Sequence, residues 1–226
     1  MRSSSTYIIT IDGTSGSGKT TISKSLAKKL GFNLLDSGKL YRSAGFVYLK
    51  STESFSNINS IKEVISRITM SSNIDSNEFE ISFENKKIDH LLYSEEVSES
   101  ASIVSQIPEV RECMMKIQKL CVKGRGLIAN GRDMGTEVFP EADLKLYVNA
   151  SLDIRAKRRY DELKSKGEDV TLENIHKSLK KRDESDTKRS ISPLRVPDNA
   201  EIIDTSDLKP DAIVDKILNL YTITKN

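Results

Sequence analysis

Eight consecutive residues carry the most specific chemistry in the chain: Gly13-Thr14-Ser15-Gly16-Ser17-Gly18-Lys19-Thr20. They satisfy the phosphate-binding pattern G-x-x-x-x-G-K-[ST] in full. Three glycines let the backbone curve without Cβ clashes, so successive N–H groups can face one concavity at a helix N-terminus, where an anion is favoured. Lys19 would set its ammonium against terminal phosphates, and the Thr20 hydroxyl would ligate Mg²⁺. Gly13, Thr14, Ser15, Gly16, Ser17, Gly18, Lys19, Thr20 and the adjoining Thr21 are therefore the candidate phosphate-binding residues.

Three further places hold charged groups where they could act on a substrate. Arg42 follows the polar turn Asp36-Ser37-Gly38 and is a candidate for a second phosphate; an ordinary exposed arginine is the equally open reading. Arg132 and Asp133 lie just past a short apolar run, in Asn130-Gly131-Arg132-Asp133-Met134-Gly135. A mutual surface pair is the plain alternative for these two, but their place beyond a central strand favours substrate contact. Between residues 155 and 189 there are 12 Lys+Arg against 8 Asp+Glu, whereas the whole chain is only +2. Most such charges face solvent. Beside a phosphate loop, a basic flap can also close over a transferring group and exclude water.

The elements that must position these residues follow from periodicity. Tyr7-Ile8-Ile9-Thr10-Ile11-Asp12 reads as a buried strand feeding the glycine loop, and Ile22, Leu26, Ala27 and Leu30 recur at helical spacing before Gly31. Phe32-Asn33-Leu34-Leu35, Leu127-Ile128-Ala129, residues 143–148 and Glu201-Ile202-Ile203-Asp204 supply four more strands. A helix begins at Lys39; residues 51–59 form a polar loop; Ile61, Val64, Ile65 and Ile68 give a helical stripe; residues 71–77 form a second polar break. Residues 78–83 alternate strictly and can pair antiparallel with 86–89, a hairpin that belongs to a small inserted lobe resting on neighbouring helices. Val97, Ala101 and Val104 mark a short helix stopped by Pro108, and Val110, Cys113, Met114, Ile117, Leu120 and Cys121 mark a longer one. Ser151 caps a helix buried through Leu152, Ala156, Tyr160 and Leu163, leaving Arg155, Arg158 and Arg159 on or beside its exposed face. Thr171 caps another, fraying over residues 180–189, and Ser206 or Asp207 caps the closing helix.

A chain of 226 residues suffices for one substantial core with an appended lobe. Balanced charge argues against a general polyanion binder. Cys113 and Cys121 read as small buried hydrophobes in a reduced compartment, and His90 and His176 receive no role. No apolar run reaches membrane-spanning length, and residues 1–6 are polar without a signal-peptide core, so the protein is expected to be soluble and cytoplasmic.

Four separated motifs then carry a family likeness. Ile11-Asp12-Gly13 running into the loop, Leu35-Asp36-Ser37-Gly38 with Tyr41-Arg42, residues 130–136 with Val138-Phe139-Pro140, and Arg182-Asp183 followed by Asp186 and Arg189 resemble the bacterial cytidylate kinases, with a match covering residues 7–221. The resemblance implies transfer of the γ-phosphoryl group of ATP, with Mg²⁺, to CMP or dCMP, in pyrimidine metabolism. It implies that Ser37, Ser102, Arg111 and Asp186 meet the cytosine end, that Arg42, Arg132 and Arg189 hold the acceptor phosphate, and that Asp133 and Arg182 belong to the same pocket, with Asp133 toward the sugar. Arg155 and Arg159 become candidates to reach ATP phosphates. Lys19, Arg132, Arg155, Arg159 and Arg189 form the implied catalytic set.

The expected fold is a single α/β, P-loop NTPase-like three-layer sandwich with a five-stranded parallel sheet. Its core would cover about 7–57, 93–154 and 168–221, with a monophosphate-binding insert at 58–92 and a helical lid at 155–167. The expected partners are ATP and CMP or dCMP, with no nucleic acid, membrane or obligate protein partner, and the chain is expected to be a monomer. Three positions depart from the family pattern: Thr14 stands where proline is frequent, Thr20 completes the general loop motif, and Leu91-Leu92-Tyr93-Ser94-Glu95-Glu96-Val97 lacks the usual arginine and threonine. A kinase acting on UMP or another small acceptor, and a nucleotide-dependent switch, are the competing readings.

Overall fold

The computed structural model describes residues 6–51, 55–73 and 75–225. Residues 1–5 of the polar start, 52–54 of the expected polar loop, and 74 of the second polar break lie outside the described residues. Strand β1 (Tyr7–Gly13) is buried on both faces, as its run of isoleucines requires, and lies at the centre of a sheet ordered β2-β6-β1-β7-β8. The other strands are β2 (Asn33–Asp36), β6 (Gly126–Asn130), β7 (Leu144–Asn149) and β8 (Glu201–Asp204), and every pairing is parallel. Register sets Asp36 beside Asn130, Ile11 beside Asn130, Gly13 beside Val148, and Asn149 beside Asp204. The polar residues ending five strands therefore share one edge, where open α/β sheets bind ligands.

Helices cover both faces. On one, α1 (Lys19–Leu30) and α8 (Pro210–Lys225) pack Ile22, Leu26, Ile213, Val214 and Ile217 onto Ile9, Ile11, Leu146 and Val148. On the other, Met134, Val138 and Phe139 close over Ile8, Leu127 and Ala129. The first two belong to one wide π-helical turn, Met134–Val138. The closing helix starts at Pro210, beyond the expected caps Ser206 and Asp207; Ser206 instead bonds within its turn, its N–H donating to Asp204 Oδ1 at 2.8 Å.

A second apolar cluster joins α2 (Ser37–Lys50), α3 (Ile58–Ser66), α4 (Glu95–Val104) and α5 (Pro108–Lys119) through Leu40, Val47, Ile65, Val104 and Met114. The expected hairpin is part of a three-stranded antiparallel sheet, β3 (Ile68–Ser72), β4 (Phe79–Phe83) and β5 (Lys86–Lys87). Ile68 therefore opens a strand instead of extending the helical stripe, and residues 71 and 72 are paired rather than loop. Its side chain still enters the same core as Ile61 and Ile65, which is why its spacing mimics a helix. Lys39 joins this sheet to α2: its ammonium donates to Phe79 O at 2.9 Å and pairs with Asp89, and Asp89 Oδ2 accepts the N–H of Ile81 at 3.1 Å.

The basic segment is an ordered pair of helices, α6 (Leu152–Ser165) and α7 (Leu172–Lys188), with Ala156, Leu163, Ile175 and Leu179 as its own small core. Ser151 and Thr171 cap them, each hydroxyl accepting the N–H three residues on, at 3.3 Å. The expected fraying from residue 180 does not occur; α7 continues to Lys188 because its last two turns carry side chains bonded to the rest of the molecule. Among the described residues both cysteines are free, with Cys121 buried and Cys113 half-buried, and no helix is long and apolar enough to cross a membrane.

Candidate active site

The phosphate loop connects β1 to α1 and is built by close approaches. Gly13 has φ +146°, and a Cβ there would meet the Val148 carbonyl oxygen at 1.8 Å, so no other residue fits against β7. The loop then braces itself. Ser17 Oγ donates to Thr14 O at 2.9 Å, Thr14 Oγ1 donates to Asn149 Oδ1 at 2.8 Å, and Thr205 Oγ1 donates to Ser17 O at 3.1 Å. Lys19 folds into the loop, its ammonium donating to Thr14 O at 2.5 Å and to Ser17 Oγ at 3.3 Å. Burial, then the nearby Arg132 guanidinium, push its pKa well below the ordinary lysine range, with Asp12 opposing. Thr20 and Thr21 are exposed on the first turn of α1, and Thr20 Oγ1 accepts from Asn130 Nδ2 at 3.5 Å.

Arg155 is the clearest correction to the sequence reading. Instead of lying on the outer face of α6, it is only 5 % exposed and supports the loop from beneath. Its Nη1 donates to Ser15 O at 3.0 Å and to Asp183 Oδ2 at 2.6 Å, and its Nε donates to Ala150 O at 2.9 Å. Asp183 Oδ1 also accepts the Ser15 N–H, at 3.4 Å. The buried guanidinium is held by the nearby Ala150 carbonyl together with a carbonyl and a carboxylate from distant parts of the chain. Arg159, one turn on, faces solvent and pairs with Glu162 at 2.8 Å, so the structure separates these two arginines.

Beside the loop, arginines from four elements converge. Arg132 and Asp133 are not paired with each other. Arg132 Nε donates to Asp186 Oδ2 on α7 at 2.7 Å, while Asp133 pairs with Arg111 of α5 and lies 3.9 Å from Arg189 Nη2. Arg111 also donates to Ser192 Oγ and Ser105 O, both at 3.3 Å, and sits over the Tyr41 ring. Burial raises the pKa of Asp133, outweighing Arg111 and Arg189. Burial pushes Asp186 up as well, but Arg132 and Arg182 overcome it and hold the carboxyl low. Arg182 is brought down to about 10 by burial and by Arg132, with Asp186 opposing, and Arg189 is lowered by burial. Arg42, from α2, lies over the Tyr93 ring at 5.1 Å.

Two donors in this cluster, Arg42 Nε and Arg189 Nη2, are buried without a hydrogen-bond acceptor. Buried charged donors in that state are costly unless a ligand supplies the acceptor. The cluster, gathered from α2, α5, α7 and the residue 131–135 loop, is thus suited to an anion beside the phosphate loop. Ser37 is buried at the start of α2, and Ser102 spends its hydroxyl on Ser98 O, one turn back in α4, at 3.3 Å. No hydrogen bond joins Ser102 to the arginines among the described residues.

Residues that periodicity did not single out complete the site. Asp12 is fully buried, and its two carboxylate oxygens accept the N–H groups of Met134 at 2.8 Å and Gly135 at 2.7 Å. Burial lifts its pKa from the ordinary 3.8 to about 6, against the lowering effect of those two N–H bonds. An acid raised in the folded state takes up a proton on folding between the two values, so its contribution to stability falls as pH rises through that window. Relative to an Asp12→Asn variant, the native protein should therefore lose about 3 kcal/mol of stability between about pH 4 and pH 7. Denaturant melts followed by circular dichroism at several pH values check this; a pH-independent difference would contradict it.

Among the described residues no group of three or more His, Cys, Asp or Glu side chains could hold a metal alone. Mg²⁺ at a phosphate loop keeps several waters and binds through substrate phosphates plus one or two protein oxygens, so it does not call for such a group. Thr20, exposed on the first turn of α1, carries a hydroxyl oxygen of the kind that ion takes.

The family model described as Cytidylate kinase matches residues 9–223. A cytidylate kinase of Caldanaerobacter subterraneus subsp. tengcongensis is 39% identical over 212 residues, covering 94% of this chain and 93% of that protein. One from Fervidobacterium nodosum is 40% identical over 213 residues, covering 94% of each. The solved shikimate kinase from Bacteroides thetaiotaomicron is similar in fold, with a TM-score of 0.50 at 12% identity over 96% of this chain and 98% of that one.

Proposed function

This chain belongs to the cytidylate kinase family, and from that membership we propose that it transfers the γ-phosphoryl group of ATP directly to CMP and dCMP, yielding ADP with CDP or dCDP. The observation that carries the reading is the pair of buried, acceptor-free guanidinium donors of Arg42 and Arg189 in a cluster beside a complete phosphate loop.

In this reading an oxygen of the acceptor phosphate attacks the γ-phosphorus in line, the new P–O bond forms, and the bond to the β–γ bridging oxygen breaks, leaving with ADP. The attacking oxygen is already anionic, so no general base is needed. The task is to bring two highly charged groups together and neutralise them. Arg42, Arg132 and Arg189 would grip the acceptor phosphate, with Arg182 adding positive potential. On the donor side, Lys19 would exchange its bonds to Thr14 and Ser17 for phosphate oxygens, and the loop N–H groups would line the remainder. Mg²⁺, held through the Thr20 hydroxyl, would supply charge neutralisation on the donor phosphates. Arg155 would act through Ser15, fixing the loop from below, while Arg159 would have to leave Glu162 to reach a phosphate.

Asp186 is the proposed reader of the base, accepting from the cytosine amino group and rejecting the carbonyl that uracil presents there. Its bond to Arg132 offers a second role, orienting the phosphate clamp. Asp186→Asn separates them: base reading predicts that kcat/KM for CMP falls at least about tenfold relative to UMP, whereas pure orientation lowers both equally. The primary test is ADP release with ATP and Mg²⁺ against CMP, dCMP, UMP, AMP and no acceptor. Strong preference for CMP and dCMP is expected. Preference for another acceptor would overturn the base assignment, and release independent of acceptor would overturn the kinase reading.

A further inference from the structure

We propose that Asp12 is a positioning residue that fixes the acceptor-binding loop to the donor phosphate loop, so that the two substrates meet in line. The proposal rests on the kinase reading above. Each of the Asp12 carboxylate oxygens accepts one of the consecutive N–H groups of Met134 and Gly135. The preceding residue adds a third tie, its Ile11 carbonyl accepting the N–H of Gly131 at 3.0 Å. Arg132 and Asp133, the two charged members of that loop, lie between these attachments. On the other side, Asp12 is followed directly by Gly13, which begins the phosphate loop.

The joint is closed on every side. Asp12 is 0 % exposed, and a Cβ on Gly135 would meet Thr10 Oγ1 at 2.8 Å and Pro197 Cγ at 2.9 Å. The dipeptide Ile11-Asp12 thus references Lys19, seven to eight residues along the chain, and Arg132, more than a hundred residues away, to the same point. Burial raises the Asp12 carboxyl to about 6 while the Gly135 and Met134 N–H bonds pull it down, so those two bonds keep the anion in place against its own desolvation. A neutral side chain would avoid that cost, but asparagine would offer one acceptor and turn an NH₂ donor toward the second N–H. Misplacement of reacting groups by about 1 Å can cost about 10²-fold in rate, which is the scale on which such a joint acts.

The test compares wild type with Asp12→Asn. A positioning role predicts kcat reduced by roughly 10- to 100-fold. Binary dissociation constants for ATP and for CMP, each measured by calorimetry, should stay within about threefold of wild type, because each half-site alone remains intact. Amide hydrogen exchange at Met134 and Gly135 should accelerate in the variant. Unchanged kcat with accelerated exchange would reduce the joint to a structural tie and overturn the proposal, as would a kcat loss matched by equal weakening of one binary complex. If the variant does not fold, wild type decides: protection of these two amides should rise with either a non-hydrolysable ATP analogue or CMP alone, and protection responding to neither overturns it. Exchange is read without turnover. A wild type inactive on CMP would therefore count against the kinase reading while leaving the Asp12 joint to be judged with the acceptor it does use.

Discussion

Replacing Lys19 with methionine is expected to lower phosphoryl transfer by roughly 10³-fold while leaving the protein at least as stable as before. The two halves of that expectation have one cause. Lys19 is 6 % exposed, and its ammonium has Thr14 O and Ser17 Oγ as partners and sits near the positive charge of Arg132. Its pKa is therefore depressed, which means that folding disfavours its charged form. A lysine lowered in the folded state withholds stability below its unfolded pKa and returns it only as pH rises, so at neutral pH its removal relieves a cost. Methionine keeps the apolar stem that packs there. What is lost is the cation that would meet the transferring phosphate, where charge counts most. Steady-state kinetics with CMP and a thermal melt in parallel check both halves; retained turnover would remove Lys19 from the donor side.

The second large effect falls on the Arg111–Asp133 pair, whose side chains are 6% and 3% exposed. Asp133→Ala leaves Arg111 buried without its carboxylate and brings Arg189 close to an unbalanced positive charge, and should cost about 3–5 kcal/mol. Arg111→Met strands the carboxylate instead, at similar cost. The double variant should be more stable than the sum of the two losses, because neither charge is then left alone. Denaturant titration of the four proteins measures the coupling. Additive losses would mean that the two side chains do not depend on one another. Activity should fall in all three variants, since Asp133 adjoins Arg132 and faces Arg189.

The phosphate loop and the five parallel strands were legible because each is written locally, whereas Arg111, Arg182 and Arg189 were reached only through the family resemblance. A glycine pattern declares its own loop, and short apolar runs bounded by turns declare strands. Arg155 was not legible. Its helical position puts it beside the polar face of α6, and only the fold brings Ser15 and Asp183 around it. Ile68 misled for the opposite reason: its apolar side chain obeys a helical period while its backbone has already turned into β3. Asp12 gave no periodic signal, since a carboxylate at the end of a buried strand reads as polar punctuation until its two amide partners are known.

The last two turns of α7 have a consequence for how the chain can change in length. Asp183 braces the phosphate loop and Asp186 holds Arg132, so one short stretch of helix serves two neighbouring tasks from fixed angular positions. A single codon inserted between them would rotate Asp186 by about 100° about the helix axis and carry it off Arg132, with Asp183 left in place. Insertions in the turn from Lys166 to Val170, which joins α6 to α7 and meets neither task, should by contrast be absorbed. Length variation in this part of the gene should therefore collect before α7 and be purged from its end.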